Sequence, residues 1–245
     1  MNVWAEFFSA APELDYYRPY TSKDIDYFGQ AQAAEKLAQA LGGTLSLPEI
    51  DDHTPSTALV KATVDGVELE IDFLNNVSGV NHEELERKAA EVLVPNLAAP
   101  GGFVEIPVMH PLHCLESRIV NLIKHGRKDD TAIRQAEAAP VVLREFVNRL
   151  LSNGEQRHGL RTLKGLYQFL RQHPEGKRAH KYVKRDPLEV LQHFRDDQRL
   201  DERYRDKTLI PMIEDVRHNR SAIQRILDAI ALKKRPVIEE DEASG

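Results

Sequence analysis

The chain has 245 residues, 41% of them hydrophobic and 29% charged, which excludes a disordered or fibrous polypeptide and allows one large domain or two small ones. No apolar run approaches the roughly 20 residues of a membrane-crossing helix. A single cysteine, Cys114, excludes an intrachain disulfide and a cysteine-rich zinc site.

The formal charge of −6 is unevenly spread. Residues 1–110 carry 6 Lys or Arg against 18 Asp or Glu, residues 111–236 carry 27 against 17, and the tail 237–245 adds four acids. Such polarity fits an acidic part beside a part able to face phosphates, and a helix-rich second half with ordinary basic surfaces accounts for it equally well. The opening residues Met1 to Glu6 have neither the basic start nor the apolar core of a signal peptide, so the expected location is cytoplasmic.

Taken in chain order, Trp4, Phe7 and Phe8 predict a short opening helix, and the alternation from Lys23 to Phe28 predicts a strand. Ala31 to Leu41 has Ala34, Leu37 and Leu41 on one helical face, with Gly42-Gly43 as its stop. Two alternating runs, Thr57–Val64 and Val67–Leu74, flank Asp65-Gly66, whose two turn positions need positive φ, so a hairpin is expected. His82–Leu93 reads as a helix ending before Pro95, and Phe103–Met109 as the last strand.

From Pro111 the period is helical. Leu112, Leu115, Ile119 and Leu122 form one stripe, and Ile133, Ala136, Leu143, Phe146 and Leu150 a second, which Pro140 divides or kinks. Leu160, Leu163, Leu166 and Leu170 form a third stripe, and Leu188, Leu191 and Phe194 a short one. Ile213, Val216, Ile223, Ile226 and Ile230 predict a long final helix. The expected fold class is α+β, with a small mixed-sheet lobe over 1–110, an all-helical lobe over 111–236 and a disordered acidic tail over 237–245.

The chemistry concentrates in Asp24-Ile25-Asp26. Residues two apart on a strand share a face, so Asp24 and Asp26 project together while Ile25 and Tyr27 turn to the core. Paired carboxylates repel unless they are solvated or share a cation, and oxygen-only donors suit Mg²⁺ or Mn²⁺. A second acidic strand carries Glu68, Glu70 and Asp72 opposite Val67, Leu69, Ile71 and Phe73. If the two strands are neighbours, Asp72 completes a cluster of three able to hold two metals. An edge strand with acids on its wet face needs no metal, and an isolated Asp-x-Asp is a weak signal.

Asp-Ile-Asp on one strand, a helix, and then a hairpin whose second strand ends in Asp resembles the nucleotidyltransferase superfamily of DNA polymerase beta-like fold, in particular its minimal and abortive-infection (AbiEii-type) members. Met109-His110-Pro111-Leu112-His113-Cys114-Leu115-Glu116-Ser117-Arg118 is similar to the family's strand end, proline and helix with a basic residue. Gly126-Arg127-Lys128-Asp129-Asp130 resembles its Arg-Lys-Asp stretch. The likeness covers about residues 1–140.

The resemblance implies transfer of a nucleotide from an NTP to RNA, tRNA included, or to a protein. Asp24, Asp26 and Asp72 would hold Mg²⁺ or Mn²⁺, and Lys23, Arg118 and Lys124 would neutralise phosphate. It also implies a toxin or phage-defence role with an antitoxin partner and no membrane. The family's Gly-Gly or Gly-Ser motif would stand a few residues before Trp4, upstream of Met1. The alternative expectation is an inactive relative that binds nucleic acid or protein.

Two further clusters carry weaker signals. His110, His113 and Cys114 are neighbours at a helix start, where side chains rarely converge on one metal. The basic run Lys177 to Arg185, with Tyr167 and Tyr182 near it, reads either as a solvated surface or as an RNA-binding one.

Overall fold

At Asp65-Gly66 the chain reverses with φ of 51° and 80°, the left-handed pair that a two-residue hairpin loop requires. This turn joins β3 (Ser56–Val64) to β4 (Val67–Leu74) in the expected register, Val64 opposite Val67. The computed structural model describes residues 1–20, 24–49, 55–96, 98–127 and 129–220. Lys23, Lys128, the isoleucines from Ile223 onward and the acidic tail therefore lie outside the described residues.

The chain is α+β. A four-stranded mixed sheet has the order β1-β4-β3-β2, with β1 at Asp24–Phe28 and β2 at Thr44–Ser46. β1 runs parallel to β4, and the other pairings are antiparallel. Helix α2 (Ala31–Leu41) ends at Gly42 in the left-handed conformation, as its sequence predicts. It covers one face of the sheet, where Ala34, Ala38, Ala58, Val60, Ile71 and Phe73 form a small core.

Two expectations are corrected here. Ile25 and Tyr27 stand on the core-facing side of β1 but remain 48% and 50% exposed, because β1 is the edge strand and the α2 core centres on β3 and β4. The stretch 82–93 is not one helix: α3 spans only His82–Arg87, and Ala90–Pro95 is a strand, β5, paired antiparallel with β6 (Phe103–Val108). Long-range pairing along the Val92-Leu93-Val94 run overrides the helical periodicity there.

The remainder is helical: α4 (Pro111–Lys124), α5 (Asp130–Ser152), α6 (Gln156–Gln172), α7 (Pro174–Arg178) and α8 (Leu188–His193). After α9 (Glu202–Tyr204) and a π-helical turn over Arg205–Leu209, residues 210–220 are helical. Helix α4 starts with Pro111 at its first position and with His110 Nδ1 accepting the Leu112 N–H at 3.1 Å. Asp129 caps α5 by accepting the Ala132 N–H at 2.9 Å. Of the two expected outcomes at Pro140, division is excluded: the proline lies inside a single helix, α5.

Helix α5 is apolar on two sides. Ala136, Ala139, Leu143 and Val147 enter a large core shared with α4, α6 and α8. Ala138, Val141, Val142, Phe146 and Leu150 enter a second core with Trp4 of α1 (Asn2–Phe7) and with Leu14 and Tyr17 of a 3₁₀ turn, Pro12–Tyr17. The N-terminal twenty residues are thus anchored on the helical part, a connection that Trp4 Nε1 reinforces by donating to the Met109 carbonyl at 2.8 Å.

Candidate metal centre

Alternation on β1 and β4 puts Asp24, Asp26 and Asp72 on the sheet face opposite α2, and parallel pairing brings the strands into register with Asp26 directly beside Asp72. One carboxylate oxygen from each of the three lies within 4.8 Å of the others. Among the described residues this is the one such group of potential ligands. Three hard oxygen donors at this spacing fit Mg²⁺ or Mn²⁺, whose opposed ligands stand about 4.2 Å apart at ~2.1 Å bond lengths.

The surroundings distinguish these three acids from others on the same face. Glu70, beside Asp24 in the register, is paired with Lys61 across the hairpin. Asp72 accepts from Ser56 Oγ at 3.4 Å. Asp26 is held above the ordinary carboxylate range, first by the protein around it and then by the Asp24 charge, with Asp72 adding less. Arg118 pulls the other way. Carboxylates crowded in this way repel one another, and a bound cation relieves the repulsion.

Arg118 reaches this face because α4 is seated against the loop that follows β4. Gly79, at φ 82°, lies so close to α4 that a Cβ there would stand 2.5 Å from Val120 Cγ2 and 3.4 Å from the Glu116 carbonyl. Glycine permits both the conformation and the approach. Ser78 Oγ also meets His125 Nε2 at 3.1 Å, just beyond the end of α4. Arg118 is partly buried, and its Nε is shut off from solvent without a hydrogen-bond partner. The positive charge at residue 1 also acts on Asp26, more weakly than Arg118 does.

The other sequence-predicted residues are less closely tied to the site. Lys124 is exposed at the last position of α4, six residues past Arg118 and therefore about 120° away around the helix. Lys23 lies outside the described residues. Cys114 is buried, and His110 is engaged by the α4 backbone.

Pattern reading weighed His110 and His113 only as weak metal ligands and passed over Glu84, Lys88 and Glu116 near them. His113 is 2% exposed, its Nε2 3.9 Å from Glu84 Oε2, and Glu84 is bonded to Lys88 at 2.7 Å. Burial holds His110 at about 3 and His113 at about 4, and it pushes the nearby Glu116 up to about 8. No local signal marks the burial of His113 and Glu116, which lie near Glu84 and Lys88, while His110 packs edge-on against Phe146 of α5 with ring centroids 4.8 Å apart. Compared with known proteins, the chain matches no family model, no curated protein and no solved structure.

Proposed function

We propose that this protein is a metal-dependent nucleotidyltransferase, with its carboxylates on the four-stranded sheet and its phosphate-neutralising cation on the helices that begin at Pro111. It moves a nucleotide from an NTP onto a hydroxyl of RNA or protein. The observation that carries the reading is the carboxylate trio of Asp24, Asp26 and Asp72 on two parallel strands, with the charge of Arg118 in α4 acting on Asp26.

In this reaction the acceptor oxygen attacks the α-phosphorus, the bond from that phosphorus to the bridging oxygen breaks, and pyrophosphate leaves. Asp24, Asp26 and Asp72 would hold Mg²⁺ or Mn²⁺, which when bound lowers the pKa of the acceptor hydroxyl and offsets triphosphate charge. Asp72, the least exposed of the three, is the candidate to take the hydroxyl proton as the new bond forms. Arg118 stabilises negative charge as it builds on the phosphoryl oxygens. Neutral Asn at Asp24 and Asp26 keeps the shape of the strand and removes the charge.

The test is transfer of label from each of the four α-³²P NTPs, with Mg²⁺ or Mn²⁺, into total RNA and total protein, beside an Asp24→Asn/Asp26→Asn variant. Label that enters one class of acceptor and disappears in the variant establishes the reading and names the acceptor. No label under any condition sinks catalysis and leaves a binding protein with a relic site.

A further inference from the structure

The hairpin that carries Asp72 is irregular at one end. Ser56 stands opposite Leu74 and Ala58 opposite Phe73, so Thr57 is an extra residue in β3, a β-bulge. Bulges re-aim a side chain or end a pairing, and this one adjoins the carboxylates. Ser56 Oγ lies 3.4 Å from Asp72 Oδ1 and 3.3 Å from the Ala58 carbonyl. Thr57 Oγ1 lies 3.0 Å from the Phe73 carbonyl and 3.0 Å from the Gly29 carbonyl.

Those two carbonyls belong to the strands that hold the acids. Phe73 directly follows Asp72 in β4, and Gly29 directly follows β1, three residues after Asp26. In the sheet β3 and β1 are not neighbours, because β4 separates them, so the reach of Thr57 to Gly29 is a link that the strand ladder does not supply. The Gly29 N–H donates to the Leu74 carbonyl at 3.0 Å. Gly29 is thus held by β4 through its N–H and by β3 through its carbonyl. The one proton of the Thr57 hydroxyl serves either carbonyl, and each bond ties β3 to a strand bearing carboxylates. Such a tie matters most for β1, an edge strand whose Ile25 and Tyr27 are half exposed.

Resting on the metal reading above, we propose that Thr57 is a positioning residue of the carboxylate centre. Its hydroxyl fixes β1 against β4 and so sets the spacing of Asp26 and Asp72 for a divalent cation. Mg²⁺ demands near-ideal octahedral geometry, so a shift between the two strands is felt as lost affinity.

The experiment reads the metal alone. Mn²⁺ binding to the full chain, without nucleotide, is followed by loss of the free-ion EPR signal at a temperature where circular dichroism shows each variant folded. The native protein binds Mn²⁺, and Asp26→Asn abolishes binding. Thr57→Val keeps the branched shape, removes the O–H and weakens Mn²⁺ affinity about tenfold, the lower end of the effect of side chains that orient metal ligands. Thr57→Ser restores the hydroxyl and recovers most of the affinity. Thr57→Ala carries the same test if valine is not accommodated.

Native affinity in Thr57→Val and Thr57→Ala, even with a lowered thermal midpoint, assigns the hydroxyl to folding alone and overturns the positioning role, while the metal centre stands. Failure of Thr57→Ser to recover affinity overturns it as well. A native protein that binds no Mn²⁺, or binds it equally after Asp26→Asn, overturns the metal centre, and the transferase reading and this inference fall together.

Discussion

The helical part and the four-stranded sheet are built to different standards of packing. Around α5 two cores meet, one with Leu115, Ile119, Leu143, Val147, Leu163, Leu166 and Leu191 fully enclosed, the other with Leu14 and Val142. The sheet rests on six buried residues, three of them alanines, and its edge strand is exposed along most of its length. The three carboxylates lie on the thinner structure, while Arg118 belongs to the thicker one. Stability and site chemistry are therefore divided, and the loop at Gly79 joins them.

The largest expected effect lies in the helical part. Leu143→Ala, in a fully enclosed position, costs about 3–5 kcal/mol and lowers the midpoint of thermal unfolding, because a cavity replaces a side chain packed on every side. If Ile71→Ala in the sheet costs as much, the contrast between the two regions is wrong.

Next comes pH. In the folded chain Glu116 keeps its proton up to about 8, whereas in the unfolded chain it ionises near 4.5, so stability falls as pH rises from 4.5 toward 8. His110 and His113 act in the opposite sense. Held near 3 and 4 when folded and near 6.5 when unfolded, they cost stability as pH drops below 6.5. Urea unfolding should thus be most resistant near pH 6. Glu116→Gln should gain roughly 2–4 kcal/mol at pH 8 and nearly nothing at pH 4.5, since only the ionised form is penalised.

Gly79→Ala should cost about 1–3 kcal/mol and reduce label transfer by more than its stability loss explains, since the new Cβ pushes the sheet away from α4 and Arg118. Full activity in this variant would show that the joint is not where the two parts communicate. The smallest stability effect is at the centre itself. Asp26→Asn relieves like-charge crowding and should raise stability in EDTA by less than about 1 kcal/mol after solvent screening, while abolishing transfer. Differential scanning calorimetry with and without Mg²⁺ reads the stability change, because the cation should stabilise only the native sequence, and the labelling assay reads the loss of transfer.

Much of this was legible where the determinants are local. Alternation around Asp24 and Asp26, the Asp65-Gly66 turn and the Gly42 stop each depend on a few consecutive residues. The adjacency of Asp72 was a conditional expectation, since strand pairing across 46 positions leaves no mark in either strand; the parallel register supplied it. The segment 88–95 was misread because Ala89-Ala90 extends a helical pattern whose fate is decided by Val104 and Ile106 on a partner strand. Ile25 and Tyr27 were assigned to the core on alternation alone, which identifies a face but not what covers it. Glu116 looks like an ordinary helix-surface residue until Glu84 and Lys88 are placed near it.

The open edge of β1 has a consequence for solution behaviour. Among the described residues its backbone pairs with a strand on one side only, and Ile25 and Tyr27 offer apolar surface alongside. Such a strand invites another copy to add to it, and inward-crowded negative charge is one of the devices that keep copies apart. Asp24 and Asp26 therefore act as gatekeepers as well as candidate ligands. Removing both charges sacrifices colloidal protection, and the doubly neutral protein should turn turbid on storage well before either single variant does.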